Sequence, residues 1–383
     1  MFSLRLQELA QQCLLRTVKD RDLPRGSRVV IGGREYVNFA SNDYLGLSSN
    51  PDMAAAAKEA LEEFGAGSGA SRLLAGGTIL HKRLEEEVAR FKGAEAALIF
   101  NSGYAANCGA IPALASAEDV IFSDELNHAS IVDGCQLSRA RTVVYRHRDT
   151  AHLDSLLQKE KERSPEGGKF ILITDTVFSM DGDIAPLGVL WELCRRHDAI
   201  LYLDDAHATG VIGDGRGALA HFGIRPDPRI IQMGTFSKAL GSYGAFVAGS
   251  REAIDWLTNT ARTFMFSTAL PACIAAASLK ALELVEAGHD SFPRLWKNHR
   301  RLLKALSEIS GKIGSETPII PLKIGGAAEA LAASHRLGEE GLYVPAIRPP
   351  TVRESRLRIT VTAAHSDEDI DRLASALKEI LAT

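Results

Sequence analysis

Apolar residues along this chain fall into two alternating rhythms. Between about residues 95 and 250, short apolar runs alternate with stretches whose apolar positions recur at helical spacing. The runs are Ala97–Phe100, Val120–Ser123, Thr142–Tyr145, Phe170–Thr174, Ile200–Leu203, Ile230–Met233 and Ala245–Ala248. Each is nearly continuous in apolar character, which predicts seven strands buried on both faces of a largely parallel sheet, with helices on either side. Upstream, residues 1–45 predict an amphipathic helix and a short strand over 35–39. Downstream, 251–310 predicts helices, the longest starting near Pro271, since proline is tolerated in a first turn. A smaller α+β unit follows, with strands over 318–324 and 355–361, a helix over 327–340 and a closing amphipathic helix over 367–381. The expected organisation is an N-terminal arm (1–45), a large α/β domain (46–285) and a small C-terminal α+β domain (286–383).

Composition narrows the function classes. At 383 residues the chain exceeds one typical core. A net charge of −4 without any dense Lys/Arg cluster gives no electrostatic footing for nucleic acid. Cys13, Cys108, Cys135, Cys194 and Cys273 are scattered and form no Cys-x-x-Cys, which predicts a reducing cytoplasm and neither a disulfide nor a metal site. Arg5 and Glu8 among the first leucines argue against a signal peptide. The longest uncharged stretch, Phe264–Leu279, is too short and too interrupted by Ser267, Thr268, Pro271 and Ser278 to span a bilayer. No membrane partner is expected.

The chemistry collects where predicted strands end. In sheets of this kind ligands gather at the carboxyl ends of the strands, and three segments fall there: Ser102-Gly103-Tyr104, Asp204-Asp205-Ala206-His207 and Thr235-Phe236-Ser237-Lys238. A lysine and an Asp-x-x-His in such places suggest a pyridoxal phosphate site. The lysine supplies an amine for the coenzyme's aldehyde, and Asp204 an anion for its pyridine nitrogen. His207 would face the phenolic oxygen, and His128, at another strand end, would stack on the ring. Ser179 could add a hydrogen bond, and a glycine opening a helix at Gly103 suits a phosphate. Each feature alone has a plainer reading as an exposed lysine, a capping acid or a turn serine; their combination favours the coenzyme.

Competing readings are weaker. Gly213-Asp214-Gly215-Arg216-Gly217-Ala218 nominally fits a dinucleotide fingerprint but has no acid about 20 residues on. An NAD-dependent oxidoreductase and a coenzyme-free interaction protein therefore stand as alternatives. The glycine-rich run Gly65–Ser71 follows a helix and reads as a flexible segment near the site.

Five segments occur in one order: Ser41-Asn42-Asp43-Tyr44-Leu45-Gly46, Ser102-Gly103-Tyr104-Ala105-Ala106-Asn107, Asn127-His128-Ala129-Ser130, Asp204-Asp205-Ala206-His207-Ala208-Thr209-Gly210 and Thr235-Phe236-Ser237-Lys238. In these the chain resembles, nearly end to end, the α-oxoamine synthases, which are fold-type I pyridoxal 5'-phosphate enzymes. The resemblance implies a fold-type I transferase with a mainly parallel seven-stranded sheet, helices on both faces and a smaller C-terminal α+β domain. It implies Lys238 as the coenzyme-linked lysine and general base, with Asp204, His207, His128, Ser179, Thr235 and the Gly103–Tyr104 backbone as coenzyme contacts. It implies Arg358 as the grip on an amino-acid carboxylate, with Arg16, Asn42, His128 and Thr351 as further substrate contacts. Within the family, Ala346-Ile347-Arg348-Pro349-Pro350-Thr351-Val352 resembles the branch of biotin synthesis that joins L-alanine to a pimeloyl thioester on coenzyme A or acyl-carrier protein. Siblings making aminolevulinate, 2-amino-3-ketobutyrate or sphingoid ketones usually differ there. The resemblance also implies a homodimer with sites at the interface, Phe266-Ser267-Thr268-Ala269 reaching across to the partner's phosphate.

Overall fold

A computed structural model describes residues 2–163, 167–288, 290–310 and 315–381. They form two compact units, one of residues 50–178 and 184–289, the other of 1–49, 179–183 and 290–383. In chain order, helix α1 (Ser3–Gln11) precedes strands β1 (Leu23–Arg25), β2 (Arg28–Ile31) and β3 (Arg34–Asn38). Helices α2 (Pro51–Phe64) and α3 (Ile79–Lys92) lead into β4 (Ala96–Phe100), α4 (Gly103–Leu114), β5 (Val120–Asp124), α5 (Ala129–Ser138), β6 (Arg141–Tyr145) and α6 (Thr150–Arg163). Then come β7 (Phe170–Asp175), α7 (Leu187–Arg196), β8 (Ile200–Asp204), α8 (Ala218–His221), β9 (Ile230–Thr235) and β10 (Ala245–Gly249). The helices α9 (Arg251–Thr260), α10 (Arg262–Met265), α11 (Ala272–Glu286) and α12 (Ser291–Ser310) follow. The chain closes through β11 (Ile319–Lys323), α13 (Ala327–Glu339), β12 (Leu342–Tyr343), β13 (Ala346–Ile347), β14 (Arg356–Thr360) and α14 (Asp367–Leu381).

The seven apolar runs form one sheet in the larger unit, in the order β4-β10-β9-β8-β7-β5-β6. Strands β6, β5, β7, β8 and β9 pair in parallel, and β10 runs antiparallel to both of its neighbours. Strands β4, β5, β7, β9 and β10 are buried along their whole length, as continuous apolar runs require. Strand β6 departs from that expectation. It is an edge strand, with Arg141, Thr142 and Val144 exposed, and a charged residue there blunts further pairing. The sheet's core includes Phe100, Ile121, Ile173, Tyr202, Met233 and Val247 packed with Ala106, Ala110 and Ile111 of α4.

In the smaller unit β11-β14-β13 form an antiparallel sheet, and β1-β2-β3-β12 a second one in which β12 joins β3 in parallel. Leu302, Leu306, Ile320, Leu337, Leu357, Ile359, Leu373 and Leu377 form its core. Two expectations are corrected. The N-terminal segment contains a hairpin before its predicted strand, because β1 and β2, three and four residues long, are too short to announce themselves. The longest helix among the described residues is α12, 20 residues, rather than the 15-residue helix after Pro271. No residue of α1 is buried. Among the described residues no helix is long and apolar enough to cross a membrane.

Candidate active site

The carboxyl ends of β5, β7 and β8 in the larger unit carry Asp124, Asp175 and Asp204. Asp204 is buried, and two neutral donors brace it: Asn107 Nδ2 reaches Oδ2 at 2.8 Å and the Ala206 N–H reaches Oδ1 at 3.0 Å. The register places Asp175 opposite it on β7. Burial, with Asp204 alongside, pushes the Asp175 carboxyl well above the usual carboxylate range, only partly opposed by the His128 N–H at 2.7 Å and by Lys238. Asp175 is thereby favoured in its neutral form, which avoids two adjacent buried carboxylates.

Asp205 is committed elsewhere. Its carboxylate meets the Lys92 ammonium at 2.6 Å, with both side chains buried, and accepts from Thr176 Oγ1 at 2.8 Å and the Ala218 N–H at 3.1 Å. Gly217, at φ +96°, closes over this pair; a Cβ there would stand 1.8 Å from Asp205 Oδ2 and 2.6 Å from Lys92 Nζ. The Gly213–Ala218 run is therefore packed on a buried ion pair, which removes the basis for a dinucleotide loop. Gly65–Ser71 is also tied down: Ser68 Oγ donates to the Leu270 carbonyl at 3.1 Å, and Ser71 bridges to Thr268.

His128 is the N-cap of α5, its Nδ1 accepting the Ser130 N–H at 3.2 Å. Asn127 holds this turn in place by donating to Ser123 Oγ and the Ile173 carbonyl, both at 2.9 Å, while its Oδ1 accepts the Asp175 N–H at 2.8 Å. Burial pulls the His128 pKa below its ordinary value; Asp204 opposes that shift and Lys238 adds to it. Lys238 is half-buried in the turn after β9. Thr235 shapes that turn: its hydroxyl donates to the Gly244 carbonyl at 2.8 Å and accepts the Ser237 N–H at 3.1 Å. His207 is buried in the turn that follows β8. At the start of α4, Ser102 Oγ accepts the Ala105 N–H at 3.1 Å, while helix geometry leaves the Gly103 and Tyr104 N–H groups without intrahelical acceptors. A buried carboxylate, a lysine and open helix-start donors on one sheet edge fit a ligand with a basic ring nitrogen, an aldehyde and a phosphate.

The smaller unit brings together a second set. Arg358, buried on β14, donates to the Ser179 carbonyl at 2.6 Å, Thr360 Oγ1 at 2.8 Å and Asn42 Oδ1 at 3.1 Å. All three oxygens are neutral, so they aim the guanidinium without taking up its charge. Beneath it the Tyr44 phenol is pushed up to about 12 by burial, against the opposing effect of Arg358. Arg356, two residues away on the same face of the strand, instead meets the Asp181 carboxylate at 2.5 Å. Arg16 donates to Thr351 Oγ1 at 3.2 Å across 335 residues of sequence, and Arg348 bonds the Cys13 carbonyl. Sequence reasoning missed Asn107, Ser130, Asn127 and Lys92. A lone buried amide or lysine in a helix or turn has no periodic signature; for Asn107 the available signal was a polar residue amid the apolar start of α4.

Residues 34–377 match the model of the aminotransferase class I and II family, and the chain belongs to that family. Among curated relatives, the 8-amino-7-oxononanoate synthase of Geobacter sulfurreducens is 50% identical over 381 residues, 98% of this chain and 96% of that one. Among solved structures, a serine palmitoyltransferase from S. paucimobilis with bound PLP superposes with a TM-score of 0.91 at 30% identity, covering 99% of this chain and 96% of the other. The 8-amino-7-oxononanoate synthase of Francisella tularensis gives a TM-score of 0.76 at 29% identity, over 91% and 97% of the two chains.

Proposed function

We propose that this chain is a pyridoxal 5'-phosphate-dependent acyltransferase with 8-amino-7-oxononanoate synthase activity. It joins L-alanine to a pimeloyl thioester and expels carbon dioxide and the thiol carrier, in the cytoplasmic synthesis of biotin. The observation that carries this reading is the division of labour between neighbouring aspartates: Asp205 is neutralised by Lys92, and Asp204 is braced by neutral donors. A carboxylate held that way suits a protonated pyridine nitrogen. The Geobacter sulfurreducens relative, half identical over nearly the whole chain, supports the particular activity.

When bound, the coenzyme supplies an electron sink beside the amino acid's α-carbon. The protein's own residues do the rest. Asp204 keeps the ring nitrogen protonated, and the Gly103 and Tyr104 N–H groups receive the phosphate, with Thr235, Ser179 and His207 as further contacts. Lys238 would hold the coenzyme through its aldehyde, and its amine would serve as the base for the amino acid's α-proton. Arg358 receives the amino-acid carboxylate with its planar donors. Asn42 aims Arg358, and Arg16 with Thr351 reads the acyl chain. The protein acts as a homodimer; Phe266, 70% exposed, together with exposed Leu73 and Leu74, supplies apolar surface for a second copy.

Purified protein offered alanine and glycine with pimeloyl, succinyl and acetyl thioesters, on coenzyme A and on acyl-carrier protein, tests the reading by product mass. Alanine with pimeloyl should win. A preference for glycine with a short acyl group would overturn it. Borohydride should fix the coenzyme on Lys238, and Lys238→Ala should end turnover with the fold intact; labelling elsewhere would refute the lysine's role.

A further inference from the structure

Behind Asp204 and His128 lie two buried side chains bonded to each other, Asn107 touching Asp204 and Ser130 touching His128. Their hydrogen bonds have only one consistent direction. Asn107 Oδ1 accepts from the Tyr202 hydroxyl at 2.9 Å. Burial holds that phenol well above its ordinary pKa, so it keeps its proton and donates. The amide therefore turns its Nδ2 to the other side, giving one hydrogen to Asp204 Oδ2 at 2.8 Å and the other to Ser130 Oγ at 2.9 Å. The flipped amide would set its oxygen against a carboxylate.

Ser130 Oγ lies 2.8 Å from His128 Nδ1. The Ser130 backbone N–H, which can only donate, points at the same nitrogen from 3.2 Å. A hydrogen on Nδ1 would collide with it, so Nδ1 is an acceptor and the Ser130 hydroxyl is free to pass its own hydrogen there.

We propose that Asn107 and Ser130 are positioning residues: an Asn107-to-Ser130-to-His128 relay holds His128 as the neutral imidazole with its proton on Nε2, and ties that tautomer to the orientation of Asp204. The imidazole then presents a donor, Nε2–H, to an oxygen acceptor. The link to catalysis rests on the reading that Asp204 and His128 face the coenzyme; the tautomer itself does not. The other groups acting on His128 come from several elements. Asp204 on β8 and Lys238 after β9 act with opposite signs, and Asp175 on β7 takes the His128 backbone N–H. The Tyr104 ring of α4 lies edge-on at 6.5 Å, its hydroxyl bonded to Asp133 of α5.

The test is long-range proton–nitrogen NMR on the full chain with labelled histidine imidazoles, His128 being assigned by its loss in His128→Gln. Coenzyme-free wild type should show Nδ1 unprotonated and hydrogen on Nε2 at and above neutral pH. Ser130→Ala, which deletes the hydroxyl but keeps the backbone N–H, should leave the hydrogen on Nε2, shift the Nδ1 resonance and raise the His128 midpoint by about one pH unit. Ser130→Thr should restore the wild-type pattern. Asn107→Leu should repeat the Ser130→Ala spectrum and also shift the pH dependence of the bound coenzyme's absorbance; if it does not fold, Ser130→Ala decides alone. Hydrogen on Nδ1 in wild type, or a Ser130→Ala spectrum identical to wild type, would overturn the proposal. Failure to bind pyridoxal phosphate would sink the functional reading and leave the tautomer measurement standing, so the two are separable.

Discussion

Each compact unit carries a neighbouring pair of like charges with opposite fates. In the larger unit Asp205 is matched by the Lys92 ammonium, while Asp204 next to it is braced by an amide and a backbone N–H. In the smaller unit Arg356 is matched by the Asp181 carboxylate, while Arg358, two residues on, is braced by a carbonyl, a hydroxyl and an amide oxygen. A charge met by its opposite is a structural element; it sets which strand end or loop stays closed. One aimed by neutral groups keeps its charge for a ligand. The comparison separates structural from chemical residues where residue type and sequence position alone do not.

The largest effect expected from this contrast is on the aspartates. Asp205→Asn leaves the Lys92 ammonium buried without its counter-charge and should cost about 3–5 kcal/mol of stability. Asp204→Asn should fold normally and bind coenzyme, yet lose turnover by about a hundredfold or more, since a neutral amide cannot hold the ring proton. Denaturant melts and steady-state rates on both variants decide it; exchanged outcomes would reverse the assignment.

The sequence showed the α/β framework because five of the strands are buried end to end and leave continuous apolar runs. It hid the hairpin of β1 and β2 and the two-residue strands β12 and β13, which exist only because tertiary neighbours pair with them. Lys238, Asp204 and His128 were legible because each sits just where an apolar run stops. The motifs singled out Asp204 and Arg358, but not the ion pairs that occupy their neighbours. Those depend on partners 113 residues away for Asp205 and 175 for Arg356.

Acid should strike the smaller unit next. Its buried His365 and His299 are both lowered by burial to about 4. His365 is neutral in the fold, with Nδ1 accepting the Thr362 N–H at 3.0 Å and Nε2 donating to the Asn38 carbonyl at 3.0 Å. The unfolded chain takes up these protons near pH 6.5, the folded one only near 4. The stability they confer is full above pH 6.5 and is lost as pH falls toward 4, by about 2 kcal/mol for each histidine at pH 5. Urea melts at pH 7 and pH 5 measure it, and His365→Gln should flatten the dependence; an unchanged midpoint at pH 5 would contradict buried neutral histidines.

The arginines come third. Arg358→Lys keeps the charge but loses the planar fork, and should weaken alanine binding by about 1–3 kcal/mol with coenzyme affinity unchanged. Arg356→Lys retains a cation for Asp181 and should leave alanine affinity nearly as in wild type. Spectral titration of the holoenzyme with alanine separates them, and equal losses would make both arginines part of the grip.

The smallest effect concerns acyl length. Arg16 and Thr351 meet at 3.2 Å, but the contact is exposed, unlike the buried sets around Asp204 and Arg358. An exposed charge–hydroxyl contact is solvated in either state, so Arg16→Ala should barely change stability. Its effect belongs to the far end of the acyl chain, where a pimeloyl group carries a carboxylate and a plain heptanoyl group does not. A partly solvated cation contributes up to about 1 kcal/mol to such an anion, so discrimination between the two thioesters should fall about fivefold in kcat/KM, the loss falling on pimeloyl alone. Salt should reproduce part of the effect in wild type, because exposed charges are screened over about 10 Å at 0.1 M ionic strength. Losses of equal size on both thioesters would mean that Arg16 serves the arm's packing through Thr351 and the Pro349 carbonyl, and the distal carboxylate would then be read by another residue.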